Sequence, residues 1–394
     1  MEWKVVKCQD VIDIRDGTHD TPKYVNVGYP LITSKNLKNG SIDFSEVSYI
    51  SAEDYIEINK RSKVDKGDIL LAMIGTIGNP VIVDVDQEFS IKNVALFKLQ
   101  NSPVDPRFFK YLLESSIVKK QLERETKGGT QKFVSLKVLR NLEIPLPPIA
   151  SQRRIANILD KADEIIRKRK EAIALTEQLQ KSIFLDMFGD PVINPKGWEK
   201  VKLAKISNIQ GGLQVTKKRE SNPIEVPYLR VANAYRDSLN LNQIKTIFVT
   251  QQELNKTSLK KGDILIVEGH GNKTEIGRSC VWDDSISNCV HQNHLIRVRV
   301  DDNIAESIYV SNFLNSIGGR SQLIKLGKTT SGLNTINTSN VKGIEILLPP
   351  IKIQKKYITI QETIFQYIQK LNQQQKESEN LFNSLLQKAF KGEL

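Results

Sequence analysis

The sequence predicts an α+β chain written twice: two mixed α/β globular units, each followed by one long helix. Three observations carry this. A colinear internal repeat runs through the chain, short β-branched runs alternate with turn residues in the first part of each copy, and each copy closes on a long apolar-periodic segment. The expected boundaries are 1–150 for the first globular unit, 151–189 for the first helix, 190–350 for the second unit with its N-terminal linker, and 351–394 for the second helix.

The repeat is specific. Trp3, Val6, Val11, Ile14 and Gly17 recur 195 residues later as Trp198, Val201, Ile206, Ile209 and Gly212. Lys66-Gly-Asp-Ile-Leu-Leu71 recurs at the same offset as Lys261-Gly-Asp-Ile-Leu-Ile266, and Asn93-Val-Ala-Leu matches Asn293-His-Leu-Ile at an offset of 200. Ile144-Pro-Leu-Pro-Pro-Ile149 matches Ile346-Leu-Leu-Pro-Pro-Ile351 at 202, as do Gln152 with Gln354 and Met187-Phe188 with Ala389-Phe390. A slowly drifting offset means duplication with a few loop insertions.

Within each globular part, Asp68–Ile74, Val94–Leu99, Asp263–Val267 and His294–Val300 read as strands flanked by Gly, Asn or Asp, and Pro106–Glu123 and Ile304–Leu314 as helices. After Pro147-Pro148, residues 151–188 contain neither Pro nor Gly. Ile155, Ile158, Leu159, Ala162, Ile165, Ile166, Ala172, Ile173, Leu179 and Ile183 form a heptad-like stripe, and Gly189-Asp190-Pro191 stops the helix. The second stripe runs through Ile353, Tyr357, Ile360, Ile364, Tyr367, Ile368, Leu371, Leu381, Leu385 and Phe390. Neither helix buries its stripe alone, so the two are expected to pack as an antiparallel coiled coil that relates the copies by a pseudo-twofold axis.

Composition narrows the function classes. The chain is 39% hydrophobic and 26% charged, as expected of a soluble globular protein, and no apolar run approaches the ~20 residues that span a bilayer. The start lacks the layout of a secretory signal and three cysteines make no disulfide framework, so a cytoplasmic location is expected. The 57 Lys and Arg against 45 Asp and Glu leave +12, an excess that attracts polyanions.

Catalytic motifs are not found. A methyltransferase needs a Gly-rich cofactor loop and an Asn-Pro-Pro-Tyr-like base pocket, and the nearest string, Asn194-Pro-Lys-Gly197, lacks the aromatic. In Gly269-His-Gly-Asn-Lys-Thr274, Asn272 stands where a phosphate loop requires Gly. Cys280, Cys289, His291 and His294 match no zinc spacing and read as buried cysteine beside a polar turn, so no metal is expected. Asp68 and Asp263 recur in both copies and read as structural.

Groups suited to DNA are plentiful. The loop Arg15-Asp-Gly-Thr-His-Asp-Thr-Pro-Lys-Tyr24 supplies Arg15, Thr18, His19, Lys23 and Tyr24, followed by Lys35 and Asn36. Its counterpart, Gln210–Arg219, supplies Gln214, Lys217, Lys218 and Arg219, followed by Asn233. A second pair of loops, Lys127–Lys132 and Gly327–Gly332, adds Gln131, Lys132, Lys328 and Thr329, with glycines that let backbone amides approach phosphate. His270, Asn272 and Lys273 complete the candidates. Any one of these residues reads as solvated loop; two donor-rich loops repeated at matching positions favour DNA.

The chain resembles the specificity (S) subunits of Type I restriction-modification systems over nearly its whole length. The resemblance is carried by Leu146-Pro-Pro-Ile-Ala-Ser-Gln-Arg-Arg-Ile-Ala156, Phe188-Gly-Asp-Pro-Val-Ile-Asn-Pro-Lys-Gly-Trp198, Leu348-Pro-Pro-Ile-Lys-Ile-Gln354 and Ala389-Phe-Lys-Gly-Glu-Leu394. Trp198-x-x-Val-x-Leu-x-x-Ile206 is the usual start of a target-recognition domain; in the first copy Cys8 replaces the Leu, and Lys355-Lys356 replace the Arg153-Arg154 of the other helix. The resemblance implies two target-recognition domains, each reading half of a split asymmetric site in the major groove of double-stranded DNA. The helices would set the spacing and dock two modification subunits, with Gln152, Ile155, Leu159, Ile166, Ile173, Gln354, Ile364, Leu371 and Leu381 as candidate positions. Those partners would use S-adenosylmethionine to methylate flipped adenine, and restriction subunits would use ATP and Mg; this chain would hold no cofactor. A self-sufficient methyltransferase or nuclease fragment and a protein-only coiled-coil adaptor are the alternatives.

Overall fold

A computed structural model of the chain describes residues 3–75, 77–125, 133–330 and 333–394. Two compact units emerge, one of residues 1–171 with 371–394 and one of 172–370. Each therefore takes a globular part and a segment from both long helices.

The two units share a topology. In the first, a four-stranded antiparallel sheet has the order Asp13–Asp16, Val94–Lys98, Ile69–Ala72, Gly78–Ile82. In the second the order is Ser207–Gly211, Leu295–Val300, Ile264–Val267, Ser279–Val281. The strands Ile69–Ala72 and Ile264–Val267 are buried at every position, covered on both faces, which is why they read as unbroken apolar runs and not as alternating ones. A second sheet joins Tyr29–Ile32 antiparallel to Ser48–Ile50 and parallel to Ser90–Ile91. Its counterpart joins Ile224–Leu229 to Lys245–Val249 and Val290–His291 in the same senses. The start and end of each globular part close on one another, Lys4–Lys7 with Glu143–Leu146 and Glu199–Lys202 with Glu345–Leu348.

The repeated aspartates are structural, as their position predicts. Fully buried Asp68 accepts Lys98 Nζ at 2.6 Å, and Asp263 takes Arg299 through Nε and Nη2 at 2.7 and 2.6 Å. A carboxylate withdrawn from water needs such a partner.

The long helices run Ile149–Phe188 and Ile351–Lys391. Their starts explain the Pro-Pro-x-x-x-Gln pattern. Pro147 leaves a carbonyl at the boundary that buried Gln152 satisfies through Nε2 at 2.9 Å, while Gln152 Oε1 accepts the amide of Asp105 at 2.8 Å. Gln354 repeats this with Pro349 at 2.7 Å and Glu306 at 2.9 Å. Both amides are spent inside their own unit, so the two glutamines anchor helix starts and offer no side-chain donor to a docking partner. The first helix ends where Gly189 adopts φ 81° and its N–H returns to Leu185 O at 2.8 Å.

Within each unit the two helix segments run antiparallel. In the first, Ile155, Ala156 and Leu159 share a core with Leu386, Ala389 and Phe390, and Arg169 Nη1 donates to Gln374 Oε1 at 2.6 Å. In the second, Phe184 and Phe188 pack on Tyr357 and Tyr309, and Gln180 Nε2 donates to Gln361 Oε1 at 2.6 Å. The heptad reading needs correction here: Ile165, Leu179, Tyr367 and Leu381 are exposed, while polar Gln361 and Gln375 are buried. A straight helix drifts against a seven-residue repeat, and each segment packs on a globular part as well as on its neighbour. Ile155, Leu159, Ile166, Ile364 and Leu371 are buried and Ile173 half-buried. Among the described residues no helix is long and apolar enough to cross a membrane.

Candidate nucleic-acid interface

The two donor-rich loops leave their sheets in the same way. In the first unit Thr18 N–H donates to Ile91 O at 3.0 Å and Asn93 N–H to Thr18 O at 3.2 Å; in the second, Leu213 N–H donates to His291 O at 2.9 Å and Asn293 N–H to Leu213 O at 2.8 Å. Gly17 and Gly212 lie at these crossings. A Cβ on Gly17 would sit 2.2 Å from Ile91 O, and one on Gly212 2.2 Å from Gln292 O. Backbone fills the space, so only glycine fits, which accounts for the repeat of this residue. The crossing brings each loop against the segment that carries Asn93 or Asn293.

A cleft follows. In the first unit it is lined by Tyr24, Lys35, Lys38, Asn79, Lys92 and Asn93. The corresponding stretch of the second unit lines a cleft with Arg230, Tyr235, His270, Arg278, Gln292 and His294. The Arg278 guanidinium lies over the Tyr235 ring at 4.8 Å, held by Ala234 O at 2.8 Å and Val231 O at 3.1 Å. His294 Nδ1 lies 3.4 Å from Glu268 Oε2; burial pushes the Glu268 carboxyl up, against the opposing pull of His294.

Several sequence candidates stand free in this setting. Lys23, Lys35, Lys217, Lys218, Lys273 and Lys328 are exposed and make no side-chain hydrogen bond among the described residues. Tyr24 is exposed beside the first cleft, and Gln214 is exposed on the second loop. His270 accepts the Asn272 amide at Nδ1, 3.0 Å, which leaves Nε2 to carry the ring proton; Asn272 Oδ1 in turn accepts Thr274 N–H at 2.9 Å. Thr18 Oγ1 accepts the Asp20 amide at 3.2 Å.

Others are consumed by the fold. Asn36 is buried, with Oδ1 accepting Thr33 N–H at 3.0 Å and Nδ2 donating to Asp43 O and Glu46 O. Asn233 repeats the arrangement with Arg230, Asn240 and Gln243. Both amides organise a turn and are unavailable to adenine. Arg15 is paired with Asp13 at 2.6 Å and Arg219 with Glu253 at 2.9 Å. Gln131 and Lys132 lie outside the described residues, as does the side chain of Thr329.

Sequence reasoning missed Arg61, Lys92, Asn93, Arg230, Gln292 and His294 as cleft or loop-root groups. The matched Asn93 and Asn293 were the available signal, since a repeated polar residue beside a repeated strand marks a shared site. Cys280 and Cys289 belong to the apolar core around Trp282, and burial pushes both thiols up to about 12. His291 is fully buried, its nitrogens facing Thr257 O at 3.2 Å and Gln210 O at 3.4 Å, and burial lowers its pKa to about 4. Among the described residues no group of three or more His, Cys, Asp or Glu is placed to hold a metal ion.

Comparison with known proteins places these features in a family. The family model described as the Type I restriction modification DNA specificity domain matches residues 1–175 and again 195–379. The chain is 25% identical over 395 residues to the Type I restriction enzyme StySPI specificity subunit of Salmonella potsdam, covering 93% of this chain and 82% of that one. It is 24% identical, with the same coverage, to the EcoKI specificity subunit of Escherichia coli K12. Among solved structures, the fold matches a chain from a study of complex assembly and conformational transition of the type I R-M system, with TM-score 0.62, 20% identity and coverage of 100% and 98%. It also matches the Type I restriction-modification S subunit of M. genitalium, with TM-score 0.56, 16% identity and coverage of 99% and 96%.

Proposed function

This chain belongs to the Type I restriction modification DNA specificity family, and from that premise we propose that it is the non-catalytic DNA-reading subunit of a restriction-modification complex. Each unit reads one half of a bipartite, asymmetric target in double-stranded DNA. Methyltransferase subunits, two in number, bring S-adenosylmethionine and modify adenine; restriction subunits bring ATP and Mg. The chain supplies the address.

One observation carries the reading: two clefts at equivalent places in the repeat, each rooted at a glycine crossing, in units whose donor-rich loops carry the exposed lysines Lys23 and Lys217. Unpaired lysines suit phosphates, which fix register, while the differing cleft side chains suit base edges, which specify sequence. Lys35 and Lys92 of the first unit are replaced at the equivalent places of the second by Ala232 and Gln292, so two unlike half-sites are expected. The long helices support the partner reading. Leu175, Leu179, Leu185, Phe365 and Tyr367 of the second unit, and Ile165 and Leu381 of the first, are apolar helix residues left exposed. We assign them to docking of the methyltransferase subunits.

Native mass spectrometry of the complex purified from its host tests this. Methyltransferase subunits should co-purify, and the purified chain alone should neither bind S-adenosylmethionine nor methylate DNA. Methylation by the chain alone would favour the self-sufficient enzyme and end the proposal.

A further inference from the structure

We infer that Arg61 is a specificity-determining residue of the first unit, reading the paired acceptors of a guanine edge from a position set by the buried carboxylate of Asp16. The inference rests on the DNA-reading function proposed above and names one of its reading groups.

Asp16 ends the strand Asp13–Asp16, and its side chain is only 6% exposed. Its Oδ2 receives His19 Nε2 at 3.0 Å, and its Oδ1 receives Arg61 Nη2. His19 Nδ1 lies 2.9 Å from Asn93 Oδ1, so both ring nitrogens face oxygen, and the contacts with Asn93 and Asp16 raise the His19 pKa. One buried carboxylate thus faces the permanently charged Arg61 and an imidazole whose proton its neighbours favour.

The guanidinium is built to be offered outward. Arg61 stands in the last turn of the helix Ala52–Ser62, its side chain 64% exposed, and its Nε and Nη1 donate to nothing among the described residues. Its backbone carbonyl accepts Arg15 Nη1 at 3.2 Å, which ties the helix end to the strand. The fork is therefore held before DNA arrives, and the ordering cost of contact is reduced. Asp16 takes one of the two Nη2 hydrogens, and the other forms a fork with Nη1 or with Nε that matches guanine O6 and N7, the commonest specific contact of arginine. The second unit lacks the device: 195 residues on, Asp16, His19 and Arg61 become Gly211, Gln214 and Lys256. The inference therefore concerns one half-site only. A phosphate also presents paired oxygens, and the experiment separates the two.

The test uses the full chain assembled with its methyltransferase partners, carrying Arg61→Gln, Arg61→Lys or Asp16→Asn, read by methylome sequencing and by duplex binding across salt. Arg61→Gln should relax one guanine position in one half-site, leave the other half unchanged, and weaken cognate binding roughly 5- to 150-fold, the range of one bidentate base contact. Arg61→Lys keeps the ion pair with Asp16 but loses the fork, so it should relax the same position in a complex that assembles normally. Asp16 acts through Arg61 as a positioning residue, so Asp16→Asn should relax that position too, which general destabilisation would not do. Uniform weakening on every sequence, with a salt slope shallower by about one unit, would mean a phosphate contact and overturn the inference. An unchanged motif in Arg61→Gln would overturn it equally. A wild-type complex with no bipartite motif would instead defeat the function on which it rests.

Discussion

Replacing Gly212 with Ala adds a methyl group where the backbone leaves no room. The new Cβ would lie 2.2 Å from Gln292 O and 2.4 Å from His291 O, so a shift of more than an ångström is required, and both neighbours are backbone. The shift breaks or stretches the hydrogen bonds Leu213 N–H to His291 O and Asn293 N–H to Leu213 O, now 2.9 and 2.8 Å. Two such bonds are worth about 1–3 kcal/mol together, and overpacking costs typically 1–3 kcal/mol more. A loss of about 3 kcal/mol in a unit of this size lowers its Tm by roughly 6–12 °C. Because the displaced segment is the root of the second loop, binding of the second half-site should fail while binding by the first unit persists. Thermal unfolding and half-site competition assays give the two readouts. Gly271→Ala is the control, since nothing lies within 4 Å of a Cβ there. Equal Tm and equal half-site binding in Gly212→Ala and wild type would refute the argument that the crossing holds the loop.

Lys23→Ala and Lys217→Ala should each weaken binding on all sequences and reduce the log–log salt slope by about one unit; an unchanged slope marks a solvated bystander. His19, faced by Asp16 from its strand, Arg61 from the helix and Asn93 from the neighbouring segment, has a pKa raised above the ordinary 6.5. Its charged-state contribution is complete below 6.5 and disappears as pH climbs through the raised value, so binding by the first unit should weaken over that window and His19→Gln should flatten the profile. A wild-type profile already flat there contradicts this. Inserting one heptad into each long helix, near Ala172 and near Gln374, adds roughly 10 Å to each and should lengthen the unread spacer between half-sites by about one to three base pairs; an assembled variant with the original spacer would show that the helices do not set it.

Much of the architecture was legible in the sequence because duplication writes each constraint twice. Gly17 and Gly212, Gln152 and Gln354, Asp68 and Asp263 each recur, and each proves to hold a backbone crossing, a helix start or a buried ion pair. The antiparallel pairing of helix segments followed from the same repeat, but the buried stripe did not. Ile165 and Leu381 are exposed because the globular parts, and not only the opposite helix, decide which face is covered. The interface was legible as loops and not as side chains. Whether an Asn or Arg is free depends on local hydrogen bonds that composition cannot display, so Asn36, Asn233, Arg15 and Arg219 looked available and are engaged. Arg61 escaped notice for the opposite reason: its partner Asp16 lies 45 residues away, brought to it only by the fold.

Exchanging residues 15–145 for the equivalent unit of a related specificity subunit, followed by methylome sequencing of cells that carry the partner subunits, tests the central claim of two independent readers most directly. One half of the methylated motif should change to that of the donor while the other half stays as it was. A motif altered in both halves, or in neither, would contradict it.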